Sequence, residues 1–163
     1  MGRDLNSCIP GAPNFKYIDF IKSDTAIRKG ISNTPTEEHW KSIEILAVKV
    51  LQPIRNKFGA IRITSGYRSV ELCEAVGSNS ASNHSRGEAS DIEPIDPKVK
   101  LIDICKFIIE ELDFRELILE YFPEGWIHVA YREGGNEKVI KLKDKNHNYV
   151  RMTWPGIQKF YPV

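Results

Sequence analysis

Three side chains in this sequence are of the types that hold a divalent metal and sit where a fold can gather them. His84 and Asp91 lie seven positions apart in Ser82-Asn83-His84-Ser85-Arg86-Gly87-Glu88-Ala89-Ser90-Asp91, with small residues between them. His128 lies in the short apolar run Trp126-Ile127-His128-Val129. Two imidazoles and a carboxylate, leaving a fourth position open, form the donor set of a catalytic zinc site. A helix would also bring residues seven apart onto one face. Gly87 and the serines at 82, 85 and 90 argue against helix there and for a loop entering a strand. In that geometry His84 approaches from the loop and Asp91 projects from the strand. Alternation puts His128 on one face with Trp126 and Ala130, and puts Glu88 on the face opposite Asp91. His39 and His147 are read as structural, one in the first turns of a polar-faced helix and one in a turn.

The elements that must position these groups follow from periodicity and turn chemistry. Residues 1–14 read as irregular, since Pro10, Gly11 and Pro13 break any pattern. Tyr17, Ile18 and Ile21 offer one helical face. Ser23 caps a short helix to Lys29 that Gly30 ends. Thr34 as N-cap, Pro35 at the first helical position and Glu37 completing a capping box open a long helix. Its apolar face runs through Trp40, Ile43, Ala47, Val50, Ile54 and Phe58. Pro53 falls inside that pattern and is expected to kink or end the helix.

Ile61 to Thr64 alternates and is β-branched, a strand. A short helix follows from Ser69 to Val76, then a polar loop, then a strand from Glu88 to Ile92. Asp96-Pro97 opens a helix to about Leu112. Strands are expected at 117–119, 126–131, 139–142 and 149–153, with a hairpin turn at Gly134-Gly135-Asn136 and a last helical turn from Pro155. Helices that precede and flank a set of strands read as antiparallel make an α+β plan: a small antiparallel sheet flanked by helices.

The chain has 163 residues and a formal net charge of +1. That length suits a single domain, residues 1–163, with a core that needs no disulfides. The charge balance argues against a polybasic nucleic-acid or membrane surface. No apolar run approaches a membrane span, and the start lacks the apolar core of a signal peptide. Synthesis in a cytoplasm, with outside help for any export, is therefore expected. Cys8, Cys73 and Cys105 form no Cys-x-x-Cys pair, so a cysteine zinc site is not expected. Cys105 reads as a core residue.

Ser65-Gly66-Tyr67-Arg68-Ser69, then Ser82-Asn83-His84 with Gly87-Glu88-Ala89-Ser90-Asp91, then Trp126-Ile127-His128-Val129 together resemble the zinc D-Ala-D-Ala carboxypeptidases and L-alanyl-D-glutamate endopeptidases. These include many phage endolysins and share their core with the hedgehog signalling domain. The likeness spans about residues 15–131. It implies a hedgehog/D-Ala-D-Ala peptidase-like fold and one Zn2+ held by His84, Asp91 and His128. It further implies a carboxylate base, which is Glu120 or alternatively Glu124. The position three before the last histidine, acidic in some members, is Gly125 here. Arg68 matches the arginine that meets a substrate carboxylate, and Ser82 is expected to orient a ligand or touch substrate.

The implied function is hydrolysis of an amide bond in the peptidoglycan stem peptide by a monomer acting on the cell wall, free or in a phage particle. An L-alanyl-D-glutamate endopeptidase is the preferred form and a D-Ala-D-Ala carboxypeptidase the alternative. A protein that keeps the metal for binding or structure alone is the reading from another class.

Overall fold

A computed structural model describes residues 3–163; the expectation of an irregular start at residues 1 and 2 lies outside that range. The rest of the N-terminal segment is ordered into a ribbon of β1 (Cys8–Ile9) and β2 (Ala12–Lys16). Pro10 and Gly11, read as breakers, form its turn: Gly11 has φ +80°, the conformation that follows proline in a type II turn. Tyr17–Phe20 is one 3-10 turn. Helix α1 (Asp24–Lys29) has the expected Ser23 cap and a left-handed Gly30 at its end.

The long helix starts later than the Thr34-Pro35 signal predicts. Thr36 caps α2 (Glu37–Leu46) by accepting the His39 N–H, so Pro35 lies before the helix. Pro53 neither ends the helix nor stands alone in it. A π-helical stretch, Ala47–Leu51, carries α2 into α3 (Gln52–Phe58), and the Gln52 N–H reaches back to the Ala47 carbonyl. Pro53 follows directly on that wider turn, and the helix continues through it to Phe58. Asp96 likewise makes a local turn through the Lys98 N–H, and α5 (Leu101–Glu111) starts a turn later than Asp96-Pro97 suggested.

The main sheet has six strands in the order β3-β4-β6-β5-β7-β8. These are β3 (Ile61–Ser65), β4 (Ala89–Pro94), β5 (Glu116–Glu120), β6 (Trp126–Ala130), β7 (Val139–Lys143) and β8 (Tyr149–Met152). Helix α4 (Val70–Ala75) lies between β3 and β4, and α6 (Trp154–Phe160) closes the chain. The α+β plan holds, with a small antiparallel ribbon beside this larger mixed sheet. The Gly134-Gly135 turn is not a hairpin. β5 already occupies that edge of β6, so the chain passes beyond it and β7 joins the far side of β5 in parallel.

One face of the sheet is core. Ile92, Ile127 and Leu119 form a row, with Val129, Leu117 and Ile140 beside it, against Leu46, Val50, Ile54, Ile104 and Ile108 of the helices. Each such side chain contributes about 1.5–3 kcal/mol on leaving water. Cys105 is buried among them, as its helical pattern implied. The other face carries Asp91, His128, Ile118, Lys141 and Arg151 in one continuous cross-strand row.

Candidate metal centre

His84 is fixed by local chemistry. Ser82 accepts the His84 N–H through its hydroxyl and so caps a 3-10 turn, Asn83–Arg86. Gly87 ends that turn in the left-handed region, φ +71°, and a Cβ there would sit 2.6 Å from the His39 carbonyl oxygen of α2. Only glycine lets the turn lie this close to the helix. The carbonyl oxygen of Gly66 lies 2.6 Å from His84 Nδ1. A carbonyl only accepts, so Nδ1 carries the proton and Nε2 keeps its lone pair.

That lone pair meets two others. His84 Nε2 is 3.1 Å from His128 Nδ1 and 3.2 Å from Asp91 Oδ1, and His128 Nδ1 is 2.9 Å from the same Asp91 oxygen. Asp91 and His128 are direct partners in the β4–β6 ladder, so register alone brings them together. In a tetrahedral site with metal–ligand bonds of roughly 2.0–2.1 Å, donor atoms are roughly 3.3 Å apart. The three separations lie just inside that value, so the set fits a small divalent ion. All three residues are buried.

Electrostatics favour the ligating forms. Burial pushes the His84 imidazole below its ordinary pKa, against the pull of Asp91. Burial alone would raise Asp91, yet the facing imidazoles hold its carboxyl far below the usual range. The second Asp91 oxygen accepts from Arg68, 3.0 Å away, and Arg68 Nε donates to Ser65 Oγ at 2.8 Å. Arg68, expected to meet substrate, is thus the partner that orients Asp91, and it lines the cleft. Ser82 lines the cleft too, and its hydroxyl orients His84.

The cluster opens into a cleft of about 1030 Å³, bounded by the loop from Val76 to Arg86 on one side and by β7 and β8 on the other. Two carboxylates from β5 enter it, because Glu116 and Glu120 flank Ile118, the residue opposite His128. Both oxygens of Glu116 are engaged, one by Asn83 and one by Lys141, and Glu116 Oε1 lies 3.7 Å from His128 Nε2. Glu120 is buried; its Oε2 accepts from Lys143 at 2.9 Å, and its Oε1 has no hydrogen-bond partner among the described residues. Burial would lower the Lys143 pKa, but the bond to Glu120 outweighs it and holds the ammonium charged. Glu124 is exposed in the β5–β6 turn and does not line the cleft. Gly125 has no space for any side chain, because a Cβ would collide with the Glu120 carbonyl.

The structure therefore gathers His84, Asp91, His128, Arg68, Ser82 and Glu120, and leaves Glu124 outside. Sequence reasoning missed Glu116, Lys141 and Lys143. The signal was present in alternation: 116, 118 and 120 share a face of β5, and 141 and 143 share one of β7. His39 and His147 stay away from the cluster; His39 packs on Tyr67 and His147 on Tyr121. Glu88 turns away from Asp91 to pair with Arg86 and Arg132.

A family model described as Peptidase M15 matches residues 13–130, which include the three metal-cluster residues and both β5 carboxylates. No curated protein matches the chain.

Proposed function

The chain belongs to the peptidase M15 family, a family of metallopeptidases, and from that premise we propose that it is a zinc-dependent peptidoglycan hydrolase. It cuts an amide bond of the stem peptide, preferentially between L-alanine and D-glutamate. The observation that carries this reading is the buried His84–Asp91–His128 triangle beside a cleft that His84, His128 and Glu120 line, Glu120 with one oxygen free of hydrogen bonds among the described residues. His84 Nε2, Asp91 Oδ1 and His128 Nδ1 would hold the ion. What zinc supplies there is Lewis acidity toward water and toward a carbonyl oxygen.

The chain's own groups supply the rest. Glu120 Oε1 takes the proton of the attacking water and returns it to the leaving amine nitrogen. Lys143 holds the other oxygen, so the free one keeps its aim. The cleft brings six cationic side chains (Arg68, Arg86, Arg115, Lys141, Lys143 and Arg151) against three carboxylates (Glu116, Glu120 and Glu137). Arg68, Arg86, Arg115, Lys141 and Lys143 are ion-paired, which leaves Arg151 free among the described residues for a peptide that carries carboxylates on D-glutamate and terminal D-alanine. The cleft extends well to one side of the cluster, toward β8, which gives room for several residues beyond a scissile bond and favours the endopeptidase. A monomer acting on the wall, as a lysin, accords with this reading.

Digestion of isolated sacculi followed by mass spectrometry tests it. Fragments with a new N-terminal D-glutamate, formed with zinc and lost with a chelator, are expected. Release of free D-alanine alone would make the protein a carboxypeptidase. Intact sacculi with zinc bound would remove the hydrolase reading.

A further inference from the structure

Strand β8 is the outer edge of the sheet and lies beyond residue 130, where the family match ends. It nevertheless completes the cleft wall. His128, Ile118, Lys141 and Arg151 follow one another across β6, β5, β7 and β8 in a single row on one face. Lys141 and Arg151 are direct cross-strand partners, and both line the cleft. Like charges facing each other across a ladder destabilise it. Lys141 is compensated by its ion pair with Glu116. Arg151 is exposed and joins no ion pair among the described residues. Tyr149, on the same face of β8, contacts the Lys143 ammonium and lines the same end. An unpaired guanidinium beside a second cation, at the end of a substrate cleft, is a receptor for a carboxylate.

The spacing says which carboxylate. Three strand intervals separate Arg151 from His128, roughly 14 Å, which an extended peptide covers in roughly four residues. On the acyl side of an L-alanyl-D-glutamate bond the peptide ends after alanine, in an uncharged linkage to the glycan. A carboxylate at that range must lie on the amine side, where the stem ends in D-alanine. Resting on the endopeptidase reading above, we infer that Arg151, with Lys141 beside it, forms a distal subsite for the C-terminal carboxylate of the stem peptide. The C-terminal hairpin thereby makes this enzyme select complete, uncrosslinked stems.

Two soluble substrates test the subsite: Nα-acetylated L-Ala-γ-D-Glu-L-Lys-D-Ala-D-Ala as the free acid and as the C-terminal amide. For the wild type, KM is about tenfold lower for the acid, the value of one charge-assisted hydrogen-bonded pair. Arg151→Glu abolishes or inverts this preference and Arg151→Lys retains part of it. Calorimetric binding of both peptides to Glu120→Gln, with and without Arg151→Gln, reads the same preference without turnover and with a milder substitution. Wild-type cleavage of L-Ala-D-Glu with the acid preference intact in the Arg151 variants overturns the subsite alone. No cleavage of that bond by wild type overturns the endopeptidase reading, and the subsite with it.

Discussion

Asp91 and His128 stand directly opposite each other in the β4–β6 ladder, with Oδ1 and Nδ1 2.9 Å apart. The pair is thus set by strand register, and only His84 depends on a loop. Removing the carboxylate should therefore abolish metal binding while the sheet survives. Asp91→Ala is expected to fall from about one zinc per chain to almost none by metal analysis. Zinc added to wild-type apoprotein should raise Tm, because it binds only the folded chain. Full zinc content in Asp91→Ala, with a wild-type melting curve, would dissociate the cluster from the metal.

The two β5 carboxylates differ in what they have free, and so in what their loss should do. Glu120 keeps one unbonded oxygen, whereas both oxygens of Glu116 are engaged. Glu120→Gln is expected to lower kcat by about 10²–10⁴-fold with zinc retained. Glu116 lies behind His128 Nε2, so Glu116→Gln should act through the metal, weakening zinc affinity by about tenfold or more. Glu124→Gln, outside the cleft, should change neither. Kinetics and metal titration of the three variants side by side separate the roles, and a kcat collapse confined to Glu116→Gln would reassign the base.

Much of this arrangement was legible because the cues were local. The run of serines and glycine around His84 excluded helix, and strict alternation placed His128 and turned Glu88 away. The Ser23 cap was equally plain. What escaped was set by partners distant in sequence. Nothing near Gly134-Gly135 signals that β5 blocks a hairpin, so the parallel β5–β7 pair was unreadable. With it went the Glu116–Lys141 and Glu120–Lys143 pairs, which exist only because those strands adjoin. The Arg68–Asp91 bond likewise joins residues 23 positions apart, which no local propensity encodes. Nor does any local cue signal the π turn before Pro53, through which the helix continues.

Gly87 ties the His84 turn to helix α2, and that contact can be tested without touching a ligand. Alanine at φ +71° is strained, and its methyl would press on the His39 carbonyl 2.6 Å away. Gly87→Ala is expected to cost about 1–3 kcal/mol in urea unfolding and to weaken zinc binding as the turn shifts. Gly77, also at positive φ, has open space around it. Gly77→Ala should cost less and leave zinc affinity at the wild-type value. Equal effects of the two substitutions would mean that backbone strain, and not the contact with α2, governs the site.

Glu88 supplies the acid sensitivity of this corner. Burial would raise its pKa, but hydrogen bonds from Arg132 and then Arg86 outweigh it and hold the carboxyl below its ordinary range. A depressed folded-state pKa contributes stability that is complete above the unfolded value of about 4.3 and is lost as pH falls through the lower folded value. Arg86 also donates to Asn83, so the loss loosens the turn that carries His84. Glu88→Gln should therefore be less stable than wild type by about 2 kcal/mol at pH 7, with the gap closing as pH falls below about 4. Urea midpoints of both proteins at pH 7, 5 and 3, measured without metal so that ligand protonation does not intrude through zinc release, read this directly. A gap that stays constant across that range would make the contribution of Glu88 one of packing and not of charge.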